Sequence, residues 1–303
     1  MKELKDKNCF LTGAASGIGR SFALALAREG MNLFITDINM EKLNKVRDEV
    51  QSIGATVFIG KCDVSSCEDF EENAKEFHSK LGDLDFLINN AGIAIGGVLT
   101  EFELEDWQEV LDVNLWSVIN SLKTFLPHMI KRKSGHIINV ASAAGVLGLT
   151  EPLPYVTSKF AVVGLSEALY GQLHRLGINV SVILPSYIRT NIFESSKMKY
   201  PEKLIQEIGL EKTNQITQTI MDEYLRSASS PDRVVKRYIK NIKQNRLYIS
   251  NTSAILPMMA LKGTSPLQYE EFLKKASLDY FDHLKNIFLE YGVNIEDYRG
   301  KGF

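Results

Sequence analysis

Tyr155 and Lys159 stand four residues apart in Pro154-Tyr155-Val156-Thr157-Ser158-Lys159, and Ser142 lies thirteen residues before Tyr155. On a helix, positions i and i+4 share a face. An ammonium beside a phenol favours the phenolate and draws the tyrosine pKa down from about 10 toward working pH. A tyrosine tuned in this way can pass a proton to or from an alcohol. Taken alone, the same spacing also arises on a solvated helix. The surrounding chain must therefore say whether the pair is placed to react.

Strand and helix patterns alternate through the first 185 residues. Apolar strand-like runs occur at 9–12, 33–36, 57–59, 84–88, 136–140 and 180–184. Helical patterns fall between them, at 18–28, 40–53, from Ser66, from about 100 to 130 and over 155–176. Ser66-x-x-Asp69 and Thr100-x-x-Glu103 resemble capping boxes opening two of these helices. Helices between continuously apolar strands predict a doubly wound parallel sheet of the Rossmann type, covered on both faces. Such sheets bind ligands beyond the carboxyl ends of their strands. Thr12-Gly13 and Ser142 both fall there.

Residues 187–228 break the pattern. Their apolar positions (Ile188, Ile192, Phe193, Met198, Tyr200, Leu204, Ile205, Ile208 and Leu210 among them) show no single period. An irregular insertion of that length reads as a substrate loop or lid. A helix from Ser230-Pro231 to about 244 follows, then a last strand at 247–249. A C-terminal extension over 251–303 contains a helix opening at Ser265-Pro266. No flexible linker is visible, so the expectation is one domain over 1–303.

Thr12-Gly13-Ala14-Ala15-Ser16-Gly17-Ile18-Gly19 follows the first strand and opens the first helix. Glycines let backbone approach a pyrophosphate, and a helix N-terminus attracts its charge. Asp37 ends the second strand. A carboxylate there accepts from adenosine ribose hydroxyls and repels a 2′-phosphate. Ile38, not an arginine, comes next, which favours NAD over NADP; Arg20 is the counter-signal. Asp63-Val64 follows the third strand and Asn89-Asn90-Ala91-Gly92 the fourth. Their side chains can pin strand ends, although ordinary turn chemistry accounts for both. Asn114 sits inside a helical pattern, where asparagine is a poor former, and by itself reads as a surface residue.

Together these motifs resemble the short-chain dehydrogenase/reductase family in its single-domain branch. The resemblance rests on Thr12-Gly13-x-x-x-Gly17-x-Gly19, Asn89-Asn90-Ala91-Gly92, Asn114, Ser142, Tyr155-x-x-x-Lys159 and Pro185-Ser186-x-Ile188-x-Thr190. It spans roughly residues 5–250. It implies that Tyr155 is the general acid/base, that Lys159 holds the nicotinamide ribose and lowers the Tyr155 pKa, and that Ser142 donates to the substrate oxygen. Asn114 would hold a water linking Lys159 to solvent, which reverses the surface reading. Gly13, Ser16, Gly17, Ile18 and Gly19 would line the pyrophosphate, and Asp63 and Val64 would flank the adenine. Asn90, Ala91 and Gly92 would lie along the cofactor, with Pro185, Ile188 and Thr190 near the nicotinamide amide. The family usually has glycine where this chain has Ser186.

Composition bounds the rest. Net charge is −2 with no basic block, which disfavours nucleic acid as a partner. Cys9, Cys62 and Cys67 are sparse and odd in number, arguing for a reducing compartment and against disulfides. Cys62-x4-Cys67 lacks zinc spacing, so no metal is expected. The first residues carry charge without an apolar run, so no leader is expected and the cytoplasm is the expected location. Ala254 to Leu261 is apolar but broken by Pro257 and too short to span a bilayer. Met258, Met259 and Leu261 could touch a membrane surface, though packing on the protein itself is the simpler expectation. The resemblance also implies a homodimer or homotetramer built on the helices near 101–130 and 155–176. Two functions remain: an NAD-dependent oxidoreductase acting on a small-molecule secondary alcohol or ketone of apolar character, such as a sterol, a long-chain or an aromatic compound, and a catalytically silent dinucleotide-binding regulatory or scaffold protein.

Overall fold

A computed structural model describes residues 3–97, 99–148, 152–190, 192 and 197–298. Phe193, one of the apolar positions of the 187–228 stretch, lies outside them. Seven strands form one parallel sheet: β1 (Asn8–Thr12), β2 (Asn32–Asp37), β3 (Val57–Lys61), β4 (Phe86–Asn89), β5 (Gly135–Val140), β6 (Ile178–Leu184) and β7 (Tyr248–Ser250). Their spatial order is β3-β2-β1-β4-β5-β6-β7. The order reverses between β1 and β4, which pair through Cys9–Phe86, Phe10–Leu87 and Leu11–Ile88. A crevice opens at such a switch point, because the connections on its two sides leave in opposite directions.

Helices cover both faces. The strands send alternate side chains to each: Cys9 and Leu11 join one core and Phe10 the other, as Leu33 and Ile35 do against Phe34. The first core packs under α1 (Gly17–Arg28), α2 (Met40–Ser52) and α9 (Pro231–Ile242). The second packs under α3 (Cys67–Leu81), α5 (Ser117–Arg132) and α6 (Leu153–Leu173). Two-sided burial is why these strands read as continuous apolar runs.

Four local expectations change. Thr100 does not cap the long helix: Leu99–Glu101 is a 3-10 turn, and α4 (Leu104–Leu111) starts after Glu103, whose N–H donates to Asp106 at 2.9 Å. That helix is also not uniform, since Asp112–Trp116 forms a π-helical turn between α4 and α5. The 187–228 stretch is not irregular but holds α7 (Glu202–Ile208) and α8 (Leu210–Arg226). Gly209, at φ 81°, separates them, so two short registers overlap and no single period emerges. Finally, Pro257 does not break the 254–261 run. It sits in the first turn of α10 (Ile255–Thr264), where its missing N–H costs nothing.

The C-terminal part packs on the chain itself. Met258, Met259 and Leu261 turn onto the second core. The long α11 (Pro266–Glu290) contributes Ile287 and Phe288 to a third cluster with Tyr200, Leu204 and Ile216 of the 187–228 stretch. Ser66 caps α3 as expected, accepting from the Asp69 N–H at 3.1 Å. All three cysteines are free thiols. Burial pushes the Cys9 thiol up, and the Cys62 thiol up to about 12. Among the described residues, no helix is long and apolar enough to cross a membrane.

Phe10 lies at the centre of the second core, with ring centroids of Phe125 at 4.7 Å, Phe34 at 5.5 Å and Phe77 at 6.0 Å. Truncating a buried phenylalanine costs about 3–5 kcal/mol. Phe10→Ala should therefore lower the stability measured by urea denaturation by that amount; a loss below about 1 kcal/mol would show that these rings are not the packing centre.

Candidate active site

The carboxyl ends of β1, β4, β5 and β6 open into one cleft of about 630 Å³. Gly13, Ser16, Gly17, Ile18, Gly19, Asp37, Asp63, Val64, Asn90, Ala91, Gly92, Ser142, Tyr155, Lys159, Pro185, Ile188 and Thr190 all line it. Of the candidate catalytic and cofactor-binding residues, only Asn114 does not; it stands behind the wall.

The strand ends are laced together. Thr12 Oγ1 accepts from the N–H groups of Asn90 (3.0 Å) and Ala91 (3.1 Å). The Asn90 amide donates to the carbonyls of Thr12 (3.0 Å) and Gly13 (2.9 Å). These bonds tie the glycine loop to β4 across the switch point. A β-carbon on Gly13 would meet Ala91 Cα at 2.7 Å, and one on Gly19 would meet the Gly13 carbonyl oxygen at 2.0 Å. Both glycines are demanded by this close packing. Gly17 is demanded by its φ of 52°. Ser16 precedes α1 without capping it through its side chain, and the first turn carries no acidic residue. The N–H groups of that turn therefore face the cleft as a positive site.

Asp37 terminates β2 and binds backbone through both oxygens. It accepts from the N–H of Ala15 at 3.0 Å and of Asn39 at 2.9 Å. Lys42 also lines this end of the cleft. Arg20 does not reach toward Asp37; its guanidinium is paired with Glu49. Asp63 accepts from Ser65, and its own N–H donates to Asp69 at 2.8 Å, fixing the turn after β3.

Tyr155 and Lys159 lie one turn apart on α6, with the Lys159 Nζ 5.6 Å from the Tyr155 ring centroid. Lys159 is buried and donates to the Val140 carbonyl at 3.2 Å. Burial lowers its pKa to about 8. Ser142 follows β5, and its Oγ accepts from the Ala144 N–H at 3.1 Å. The Ala143 N–H donates to Pro185 at 2.9 Å, joining this loop to the one after β6.

Asn114 overturns its isolated reading as a surface residue. It is 1% exposed and sits in the π-helical turn, where the extra residue per turn swings the side chain inward. Its Oδ1 accepts from Ile93 N at 2.8 Å, while Nδ2 donates to Ile93 O at 3.0 Å and Ser158 Oγ at 2.9 Å. Ser158 in turn donates to the Tyr155 carbonyl at 2.7 Å. A β-carbon on Gly92 would lie 3.2 Å from Asn114 Oδ1 and 3.3 Å from Lys159 Nζ. Glycine thus leaves a gap between these two polar groups.

Three contributors were not singled out from sequence. Ser158 could have been, since it falls between Tyr155 and Lys159. Tyr187 could have been too, because it follows the end of β6, where ligands bind. Tyr224, on α8, gave no signal: tertiary folding alone brings its ring centroid within 5.0 Å of that of Tyr187 at the cleft.

A profile of the short chain dehydrogenase family matches residues 7–201, more than half of the chain. The chain belongs to that family. It is 33% identical over 212 residues to the 3-oxoacyl-acyl-carrier-protein reductase of Staphylococcus aureus, covering 70% of this dehydrogenase and 86% of that protein. It is 36% identical over 198 residues to a CLA biosynthesis dehydrogenase/reductase of Lactiplantibacillus plantarum, covering 64% and 69%. Among solved structures, a short-chain dehydrogenase/reductase from Burkholderia phymatum in complex with NAD superposes with a TM-score of 0.76 at 29% identity, over 87% of this chain and 95% of that one. An actinorhodin polyketide ketoreductase variant with NADPH gives a TM-score of 0.70 at 26% identity, over 84% and 99%. The protein is thus an oxidoreductase of a family that uses nicotinamide dinucleotides.

The buried ammonium makes a pH prediction. In the unfolded chain Lys159 titrates near 10.5, in the folded one near 8. Between those values the unfolded state holds the extra proton, so this group's contribution to stability rises with pH. Below pH 8 the full penalty applies, about 3 kcal/mol. The stability difference between Lys159→Met and the parent should accordingly shift in favour of the parent as pH rises from 8 to 10.5. A difference independent of pH in denaturant titrations would rule out a depressed Lys159.

Proposed function

We propose that this dehydrogenase exchanges hydride between a nicotinamide dinucleotide, NAD in preference to NADP, and an apolar secondary alcohol or ketone such as a sterol, a long-chain compound or an aromatic ketone. One observation carries the reading: Ser142, Tyr155 and Lys159 converge in the same cleft as the glycine loop and the Asp37 carboxylate.

The residues present fit the dinucleotide. The uncapped start of α1 offers N–H groups to a pyrophosphate flanked by Gly13, Ser16, Gly17, Ile18 and Gly19. Asp37 retains lone pairs beyond its two backbone bonds and would take the ribose hydroxyls. Asp63 and Val64 would flank the adenine, with Asn90, Ala91 and Gly92 along the cofactor and Pro185, Ile188 and Thr190 beside the carboxamide. When bound, the nicotinamide supplies or receives the hydride.

The chain's own residues handle the proton. Tyr155 would take it from the substrate hydroxyl in oxidation and return it in reduction. Ser142 already accepts from Ala144 and so keeps its O–H to donate to the same substrate oxygen, as an oxyanion hole does. The Lys159 charge would stabilise negative charge developing on the Tyr155 oxygen. Asn114 Oδ1 has one lone pair beyond its bond to Ile93, and a water held there, in the gap left by Gly92, would pass protons outward from Lys159. Ile93, Val113, Pro152, Tyr187, Ile192 and Tyr224 line the cleft, which supports an apolar substrate. Exposed Leu104, Trp116 and Leu153 on the α4 to α6 helices support a homo-oligomer. A catalytically silent binding role fits less well, because the reactive set is complete.

Tyr155→Phe should reduce turnover of secondary alcohols at least about 10²-fold, the lower range for a lost general acid/base, while NAD affinity changes less than threefold. Normal turnover by that variant would refute the acid/base assignment. Asp37→Ala should narrow the gap between NAD and NADP in kcat/KM by about tenfold; a parent protein that already prefers NADP would refute the Asp37 argument.

A further inference from the structure

The loop after β6 carries Pro185, Ile188 and Thr190 into the cleft, and its backbone is held by a residue outside it. Asn251 lies just beyond β7, at the start of the C-terminal extension. Its Oδ1 accepts from the Ser186 N–H at 2.9 Å and its Nδ2 donates to the Ser186 carbonyl at 2.7 Å. One side chain thus satisfies both polar groups of a single residue, as a neighbouring strand would. The pairing also fixes the amide orientation, because a flipped amide would set donor against donor. Tyr238, fully buried on α9, donates its hydroxyl to the same Oδ1 at 3.1 Å. Arg237 donates to the Asn251 carbonyl at 3.0 Å. Asn251 is therefore itself anchored.

The next residue shows why the loop needs holding. Tyr187 has φ 47°, a conformation that residues with a β-carbon adopt only at a cost. The Asn251 clamp bounds Tyr187 on one side. Ser229 bounds it on the other, donating to the Tyr187 carbonyl at 2.8 Å and accepting from the Arg189 N–H at 3.0 Å. Between these supports, the turn aims the Tyr187 ring at Tyr224 on the cleft wall. Strain of this kind persists only where surrounding bonds over-determine it.

We infer that Asn251, seated on Tyr238, is a positioning residue that presets the β6 loop for the nicotinamide end of the cofactor. The inference rests on the reading that the Ser142, Tyr155 and Lys159 end of the cleft takes the nicotinamide. It separates the two ends of the cleft: the adenosine end, at Asp37 and Asp63, is built from other strands and does not depend on this clamp.

Calorimetric titration of the full chain with NAD and with ADP-ribose, which lacks the nicotinamide, tests it. Asn251→Ala should weaken NAD binding about tenfold, the scale of two lost hydrogen bonds, and ADP-ribose binding less than twofold. Tyr238→Phe keeps the ring and removes one donor to Asn251. It should weaken NAD binding about threefold with the same selectivity, and it carries the test if Asn251→Ala does not fold. Equal losses for both ligands would mean a merely structural residue and would overturn the inference, as would unchanged NAD affinity. A parent protein that binds neither ligand would overturn the cofactor reading itself; a parent that binds both, with variants that bind NAD normally, overturns the clamp alone.

Discussion

The site depends on one buried cation. Lys159 is 3% exposed, and a lysine is rarely buried that deeply without compensating partners. The Val140 carbonyl at the end of β5 receives its ammonium, and the Tyr155 ring lies one helical turn away. The arrangement survives only because α6 is fixed against that strand end. Asn139 donates to Ser166 at 2.9 Å and Ser166 donates to Val162 at 2.6 Å, tying β5 to the helix; Asn89 on β4 extends the chain by donating to Asn139. Polar groups buried between sheet and helix set the register to which apolar packing alone is indifferent.

Around that cation the cleft is assembled from pieces distant in sequence. Thr12 and Asn90 close the gap between β1 and β4, and Ala143 and Pro185 join the loops after β5 and β6. Each bond is modest on its own. Collectively they hold four strand ends as one rim, which is what a bound dinucleotide must span.

The 187–228 stretch and the C-terminal extension attach to this frame rather than standing apart from it. The 187–228 stretch and the C-terminal helix bury a shared cluster around Leu204, Ile216, Ile287 and Phe288. Lys199 pairs with the buried Asp106 at 2.9 Å, and Lys197 pairs with Glu109, which faces the cleft. From the other side, Tyr269 accepts from the Gly148 N–H at 2.9 Å, and Lys262 lies over the Phe160 ring at 4.6 Å. The extension therefore buttresses both the loop that follows Ser142 and the helix that carries Lys159.

Most of the fold was legible in the chain because its signals are local. Continuous apolar runs separated by helical periods specify a parallel sheet, and the glycine loop and the Tyr155–Lys159 spacing each lie within a few residues. Asn114 was not legible from its neighbours, since a π-helical turn and a buried partner in Ser158 decide its orientation. The helices of 187–228 were hidden by a break at Gly209 and by apolar positions whose partner, α11, lies in a distant part of the chain. Asn251 reads as an ordinary polar residue after a strand; only the pairing of β6 with β7 brings its amide against Ser186. Sequence by itself thus determined the order of elements and the reactive residue types, because these follow from short-range periodicity and spacing. Tertiary structure alone decided which distant side chains hold the loops in place, because hydrogen bonds across the sheet depend on geometry that no local pattern encodes.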